Sequence, residues 1–187
     1  MGCDVSKSVD VMEPQQSECT SAEFTDTQID TIRSTWPLLS ADMTDIGGKV
    51  FLRTFYEEPR TKDVFPQFSD LEDFEIAKHP FFKGHVAKFM QVVDAVVDNL
   101  DGPKASIQQL LLMLGARHAT FQGFHLEYFD VFTKVLIDVW ETEIGEEFIP
   151  EVKECWVFVF AYIVKYLRQG YFLYVNECTD DVIEEKS

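Results

Sequence analysis

Residues 80–100, PFFKGHVAKFMQVVDAVVDNL, and residues 107–121, IQQLLLMLGARHATF, decide how the rest of the chain is read. Both repeat apolar residues at spacings of three and four, the signature of one buried helical face. The first stripe runs through Phe82, Phe89, Val93, Val96 and Leu100, the second through Leu110, Leu111, Leu114 and Phe121. One position on each stripe breaks the pattern: His85 on the first and His118 on the second. Between the two, Asp101-Gly102-Pro103 carries turn chemistry that ends the first helix.

Working outward, the same period continues. Thr25 and Gln28 fit a capping box ahead of Ile29, Ile32 and Trp36, and Pro37 is expected to kink or end that helix. Val50, Phe51, Thr54 and Phe55 mark a second helix running into Pro59. A later helix spans Phe129 to Trp140 and is interrupted at Gly145, and Pro150 opens a long last helix holding Val152, Trp156, Val159, Phe160, Ile163 and Leu167. No strand alternation competes, so the fold class is all-α. The helical block, residues 25–172, has the size of a single domain. It is flanked by a polar tail over 1–24 and an acidic tail over 173–187, both expected to be flexible.

Composition narrows the function. Of 187 residues, 33 are Asp or Glu and 16 are Lys or Arg, a formal net charge of -17, which argues against nucleic acid as a partner. Hydrophobic residues make up 46%, with 17 Phe, enough to bury a core. No run approaches the roughly 18 apolar residues of a membrane-spanning helix, and no basic-then-apolar start suggests a secretory signal. Cys3, Cys19, Cys155 and Cys178 lie far apart, so a reduced, intracellular chain without an intramolecular disulfide is expected.

His85 and His118 admit two readings. They are core histidines with hydrogen-bonded rings, or they are metal ligands, since neutral imidazole in an apolar cavity coordinates metals well. No Cys or carboxylate on either stripe completes a zinc site. Two imidazoles suit a metal that brings its other ligands, and a haem leaves two axial positions free. The many phenylalanines suit the walls of a flat aromatic macrocycle.

On these residues the chain from Thr25 to Phe172 resembles the globin family. Trp36 fits the tryptophan of the first globin helix. Pro59, Phe65 and Phe68 resemble the C-helix proline and the two phenylalanines of the CD corner, with Phe65 against the haem face. Leu114-Gly115-Ala116-Arg117-His118 resembles the proximal segment, with His118 on iron, and His85 falls at the distal position. The resemblance implies a globin fold of about eight helices around haem b (iron protoporphyrin IX). It implies Phe51 overhanging the distal side and Phe89 in place of the usual smaller valine. Lys88 would approach a propionate, Leu114 would lie one turn before His118, and Phe124, Phe129 and Phe132 would line the proximal side and haem edge. The distal segment is similar to that of neuroglobin, which implies that His85 itself binds iron in a six-coordinate resting state. His79 and His125 are expected to stay off the iron, though His125 is within reach of a propionate.

The start Met1-Gly2-Cys3-Asp4-Val5-Ser6 fits the N-myristoylation pattern, with Gly2 as acceptor, or else is an unmodified tail. One acyl chain holds a protein to a membrane only marginally, and no polybasic patch follows, so palmitoylation of Cys3 is the obvious second anchor. With this start, the chain resembles the globin X family. That resemblance implies a lipid-anchored peripheral protein on the cytoplasmic face of the plasma membrane, engaged in one-electron redox chemistry, nitrite reduction or protection of lipids. Nitrite-reductase or peroxidase-like activity, diatomic gases or nitrite as ligands, and an electron donor or reductase as partner go with it. The other reading is a reversible oxygen store or sensor.

Overall fold

A computed structural model describes residues 24–184, with side chains described through residue 177. Gly2, Cys3, Cys19 and most of the expected N-terminal tail lie outside them, as does the Cys178 side chain. Among the described residues the chain is all helix, and the all-α expectation holds. The elements are α1 (Asp26–Ser40), α2 (Met43–Glu57), 3-10 turns at Pro59–Val64 and Pro66–Phe68, α3 (Asp73–Ile76), α4 (Pro80–Asp98), α5 (Ala105–Ala119), α6 (Glu127–Ile144), a 3-10 turn at Gly145–Glu147, and α7 (Pro150–Glu184). None of these helices is long and apolar enough to cross a membrane.

Local chemistry sets most boundaries. Thr25 and Gln28 form the expected capping box on α1. Pro59 and Pro80 stand at first helical positions, where a missing N–H costs nothing. Gly145 ends α6 at φ 67°, a conformation that favours glycine.

Of the kink or end expected at Pro37, the end does not occur, and α1 continues to Ser40. Tertiary packing holds the turn after it in place: Leu39 is fully buried, and Trp36 packs on Trp140 and Trp156 at 6.2 and 5.9 Å. Helix also persists past residue 172, because α7 runs through Glu184. Leu110 and Phe121, placed by the period on the buried face of α5, are each 37% exposed.

The core is continuous but has two parts. The larger joins α1, α5, α6 and α7 with the C-terminal half of α4 around the three indoles. Two buried indole N–H groups are anchored: Trp156 Nε1 donates to Thr35 Oγ1 (3.0 Å) and Trp36 Nε1 to Asp94 Oδ1 (2.7 Å). The smaller is aromatic and gathers Phe51, Phe55, Phe68, Ile76, Phe82 and Val86 under the 3-10 turns. Phe89 and Phe132 pack against both.

Two helix crossings are close enough to need glycine. At Gly47 a methyl group would lie 2.8 Å from Val86 Cγ1 and 3.0 Å from Met90 Cγ, so α2 rides directly on α4. On α5 and α7 the fit is reciprocal. A methyl on Gly115 would overlap the Leu167 carbonyl oxygen, and one on Gly170 would overlap the Leu112 carbonyl oxygen.

Candidate functional site

His118 sits near the C-terminal end of α5, three residues after Gly115. Its Nδ1 is 2.7 Å from the Leu114 carbonyl oxygen. A carbonyl only accepts, so Nδ1 carries the proton and Nε2 presents a lone pair. Rings of Phe124 (5.0 Å), Phe129 (5.1 Å) and Phe121 (5.8 Å) surround the imidazole. Burial pushes its pKa down, against the opposing pull of the Leu114 carbonyl and with help from Arg117.

His85 lies on α4, facing the second aromatic cluster. Phe51 and Phe65 each meet its ring edge-on at 5.1 Å, and Phe81 lies parallel to it at 6.4 Å. Burial pushes its pKa from 6.5 down to about 4, and the positive fields of His118 and Lys88 act in the same direction. Both imidazoles are therefore neutral at physiological pH, and they are near enough for charge on His118 to be felt at His85. Unlike His118, His85 makes no hydrogen bond among the described residues.

The other expected residues divide. Phe51 and Phe65 reach the His85 ring, and Phe124 and Phe129 reach the His118 ring, on the sides expected of them. Leu114 contributes its carbonyl oxygen as well as its side chain. Lys88 is exposed at the rim and acts electrostatically on His85. Phe89 packs on Phe51 (5.7 Å) and Phe132 (5.0 Å) without touching either histidine. Phe132, expected with the proximal residues, also lies 4.9 Å from Phe51, on the His85 side. Phe68 is fully buried behind Phe65, their rings stacked at 5.5 Å. His79 caps α4, its Nδ1 accepting from Phe81 N–H, and His125 is exposed beside Tyr128, so neither points to the pair.

Sequence reading missed the ring of Phe81 over His85 and the α5–α7 crossing behind His118. The first had a signal, since Phe81 precedes His85 by one turn. The second had none, because Gly115 and Gly170 are far apart in the chain.

The donor set fits a haem. Among the described residues no three His, Cys, Asp or Glu side chains gather into a metal site. Two half-buried neutral imidazoles on different helices can complete only a metal that arrives with its other ligands, as haem iron does. His118 has its tautomer fixed for coordination, His85 has an unused nitrogen, and aromatic rings flank both.

Comparison with known proteins agrees. The Globin family model matches residues 48–167. Cytoglobin-2 of Danio rerio is 30% identical over 149 residues, covering 79% of this chain and 83% of that protein. Cytoglobin-2 of Oryzias latipes is 26% identical over 163 residues, covering 84% and 90%. In fold, the chain is similar to a hexacoordinated heme protein from an anhydrobiotic tardigrade, known from a crystal structure at pH 4. The TM-score is 0.74 at 20% identity, covering 79% of this chain and 95% of that one.

Proposed function

The chain belongs to the globin family, and from that premise we propose that it binds haem b between His118 and His85 and serves one-electron redox chemistry. The observation that carries this reading is the pair of half-buried, neutral imidazoles, one with a fixed tautomer and one with no hydrogen bond among the described residues. A bound haem would supply one-electron redox chemistry. Every other contribution comes from the chain. His118, its ring fixed by the Leu114 carbonyl, would be the fixed ligand. His85 would be the second, a neutral imidazole held among the rings of Phe51, Phe65 and Phe81. The same fold carries a hexacoordinated haem in the tardigrade protein.

Phe51, Phe65 and Phe89 exclude water on the distal side, and Lys88 at the rim is the cation for a propionate. A free ring nitrogen of His85 would be the group that holds or delivers a proton to nitrite, peroxide or a diatomic ligand. Acylation of Gly2 and Cys3 would keep the domain at the cytoplasmic face of the plasma membrane, next to lipid that needs protection and to a membrane-associated reductase.

The absorption spectrum of the reduced protein, beside that of His85→Ala, tests the reading. Sharp, resolved α and β bands in the wild type that collapse to one broad band in the variant are expected. One broad band already in the wild type would refute ligation by His85 and favour an oxygen store or sensor. Labelling with an alkyne-bearing myristate in cells tests the anchor, and loss of label in Gly2→Ala is expected.

A further inference from the structure

The charges of this chain are unevenly distributed. Residues 78–93 and 102–126 contain Lys78, Lys83, Lys88, Lys104 and Arg117 but no Asp or Glu, in a chain with 33 acidic residues against 16 basic ones. These are the two segments that carry His85 and His118. Ion pairing divides in the same way. Elsewhere Lys62 donates to the Leu71 carbonyl and Lys165 lies over the Tyr166 ring, while most cations meet carboxylates, among them Arg33 with Asp101, Lys49 with Asp45 and Glu143, Arg53 with Glu57, and Arg168 with Asp130. None of the five does so among the described residues; Lys78 and Lys104 lie over the rings of Phe74 and Phe24, and Lys83, Lys88 and Arg117 are exposed and unpaired.

Apolar surface accompanies these free cations. On α4, Phe81 is 51% exposed, one turn before His85 and two before Lys88. Near the end of α5, Met113 (64% exposed) and Arg117 stand four residues apart on one side of the helix, and Phe121 (37% exposed) follows just past its last residue, Ala119. Phe81 is parallel to the His85 ring, and Phe121 meets the His118 ring edge-on. The two exposed rings therefore mark the edge of the histidine site, with an unpaired cation next to each.

We propose that this edge is a docking surface for an acidic electron-transfer protein, which would reduce the haem through it. The proposal rests on the redox reading above and supplies the partner class. The chemistry is that of a transient redox interface, with a small apolar centre and cations at its rim. The remainder of the chain is strongly acidic and repels an acidic partner. Only one orientation is attractive, and it brings the partner to the histidine pair. A flat anionic membrane is the poorer occupant, because it would meet the acidic surroundings together with the five cations, whereas a compact acidic patch need not.

The test uses full-length, haem-loaded protein, with reduced flavodoxin, a small acidic flavoprotein, as the probe. The second-order rate of haem reduction is followed by stopped flow against ionic strength, and the footprint by amide shift changes on titration. The rate is expected to fall about tenfold between about 10 and 200 mM salt, with shifts confined to α4 and α5 around Phe81, Lys88, Arg117 and Phe121. Lys83→Glu/Arg117→Glu should lower the low-salt rate by roughly fivefold or more and erase the shifts, while reduction by an uncharged small reductant, photogenerated lumiflavin semiquinone, stays at its wild-type rate. A rate that rises with salt, as the net charge of -17 alone would give, overturns the proposal. So does a footprint elsewhere, or charge-dependent binding to phosphatidylserine vesicles without binding to flavodoxin. A reduced spectrum lacking resolved bands would refute ligation by His85 alone, and the shift map would still decide the docking.

Discussion

The crossing of α5 over α7 makes the most exacting prediction. A single methyl group on Gly115 would sit 2.7 Å from the Leu167 carbonyl carbon, 2.9 Å from its Cα, and within overlap of its oxygen. Ordinary contact between such atoms begins at 3.4 Å, so the helices must part by about 0.7 Å against the carbon alone and by more against the oxygen. Backbone faces backbone here, so no rotamer change relieves the clash. Overpacking costs about 1–3 kcal/mol where side chains can adjust, and the upper end, about 3 kcal/mol, applies to this contact. The helix propensity of alanine returns about 1 kcal/mol, leaving Gly115→Ala about 2 kcal/mol less stable. Because His118 lies three residues away on the same helix, the displacement reaches its imidazole. Urea unfolding of the haem-free protein measures the energy, and the iron–histidine stretch in resonance Raman of the reduced His85→Ala form measures the displacement. Gly84→Ala is the control: a methyl there meets nothing within 4 Å, and it should stabilise by about 0.5–1 kcal/mol. Equal stabilities for Gly115→Ala and the wild type, with an unshifted stretch, would refute the reasoning.

Three further outcomes follow from the same geometry. The folded-state pKa of His85 is about 4 against 6.5 when exposed, so only the unfolded chain takes up its proton between those values. The haem-free protein keeps this stability above pH 6.5 and loses about 3 kcal/mol of it as the pH falls to 4, and subtracting the profile of His85→Leu isolates the loss. Trp156→Phe deletes the buried bond to Thr35 Oγ1, which keeps its own acceptor at the Thr31 carbonyl (2.9 Å). The expected cost is about 1–2 kcal/mol, and a change below about 0.5 kcal/mol in urea unfolding would deny that bond its role. Phe89→Val removes ring contacts with Phe51 and Phe132, costs about 1–3 kcal/mol, and should speed carbon monoxide binding to the reduced protein in flash photolysis.

What could be read from the sequence was what repeats locally. Helical period isolated His85 and His118 because each is a polar exception inside an apolar stripe, and the capping and proline signals placed the starts of α1, α4 and α7 within a residue or two. Pro37 and Leu110 were misjudged for one reason. A local rule knows the cost of a missing N–H, or of a leucine in water, but not the packing that outweighs it. At Pro37 the burial of Leu39 and the stacking of Trp36 carry α1 onward. The position of Phe132 beside Phe51 and Phe89, and the reciprocal glycines of α5 and α7, are products of tertiary packing. They involve residues dozens of positions apart and leave no periodic trace.

The two histidines differ in how they are held, and that difference assigns their roles. His118 is fixed three ways: its Nδ1 proton is committed to the Leu114 carbonyl, its ring is walled by Phe124 and Phe129, and its helix is set against the α7 backbone where no methyl fits. Moving it would break a hydrogen bond and shift a helix. His85 is held only by ring contacts with Phe51, Phe65 and Phe81, each worth on the order of 1 kcal/mol, and it forms no hydrogen bond that would resist rotation. Burial keeps it neutral, so no charge must be desolvated when it swings. Whatever binds in competition with a histidine must therefore displace His85. On the proposed reading, the aromatic crowding around that ring, rather than the Phe124 and Phe129 side, would set how readily a ligand takes the place of His85.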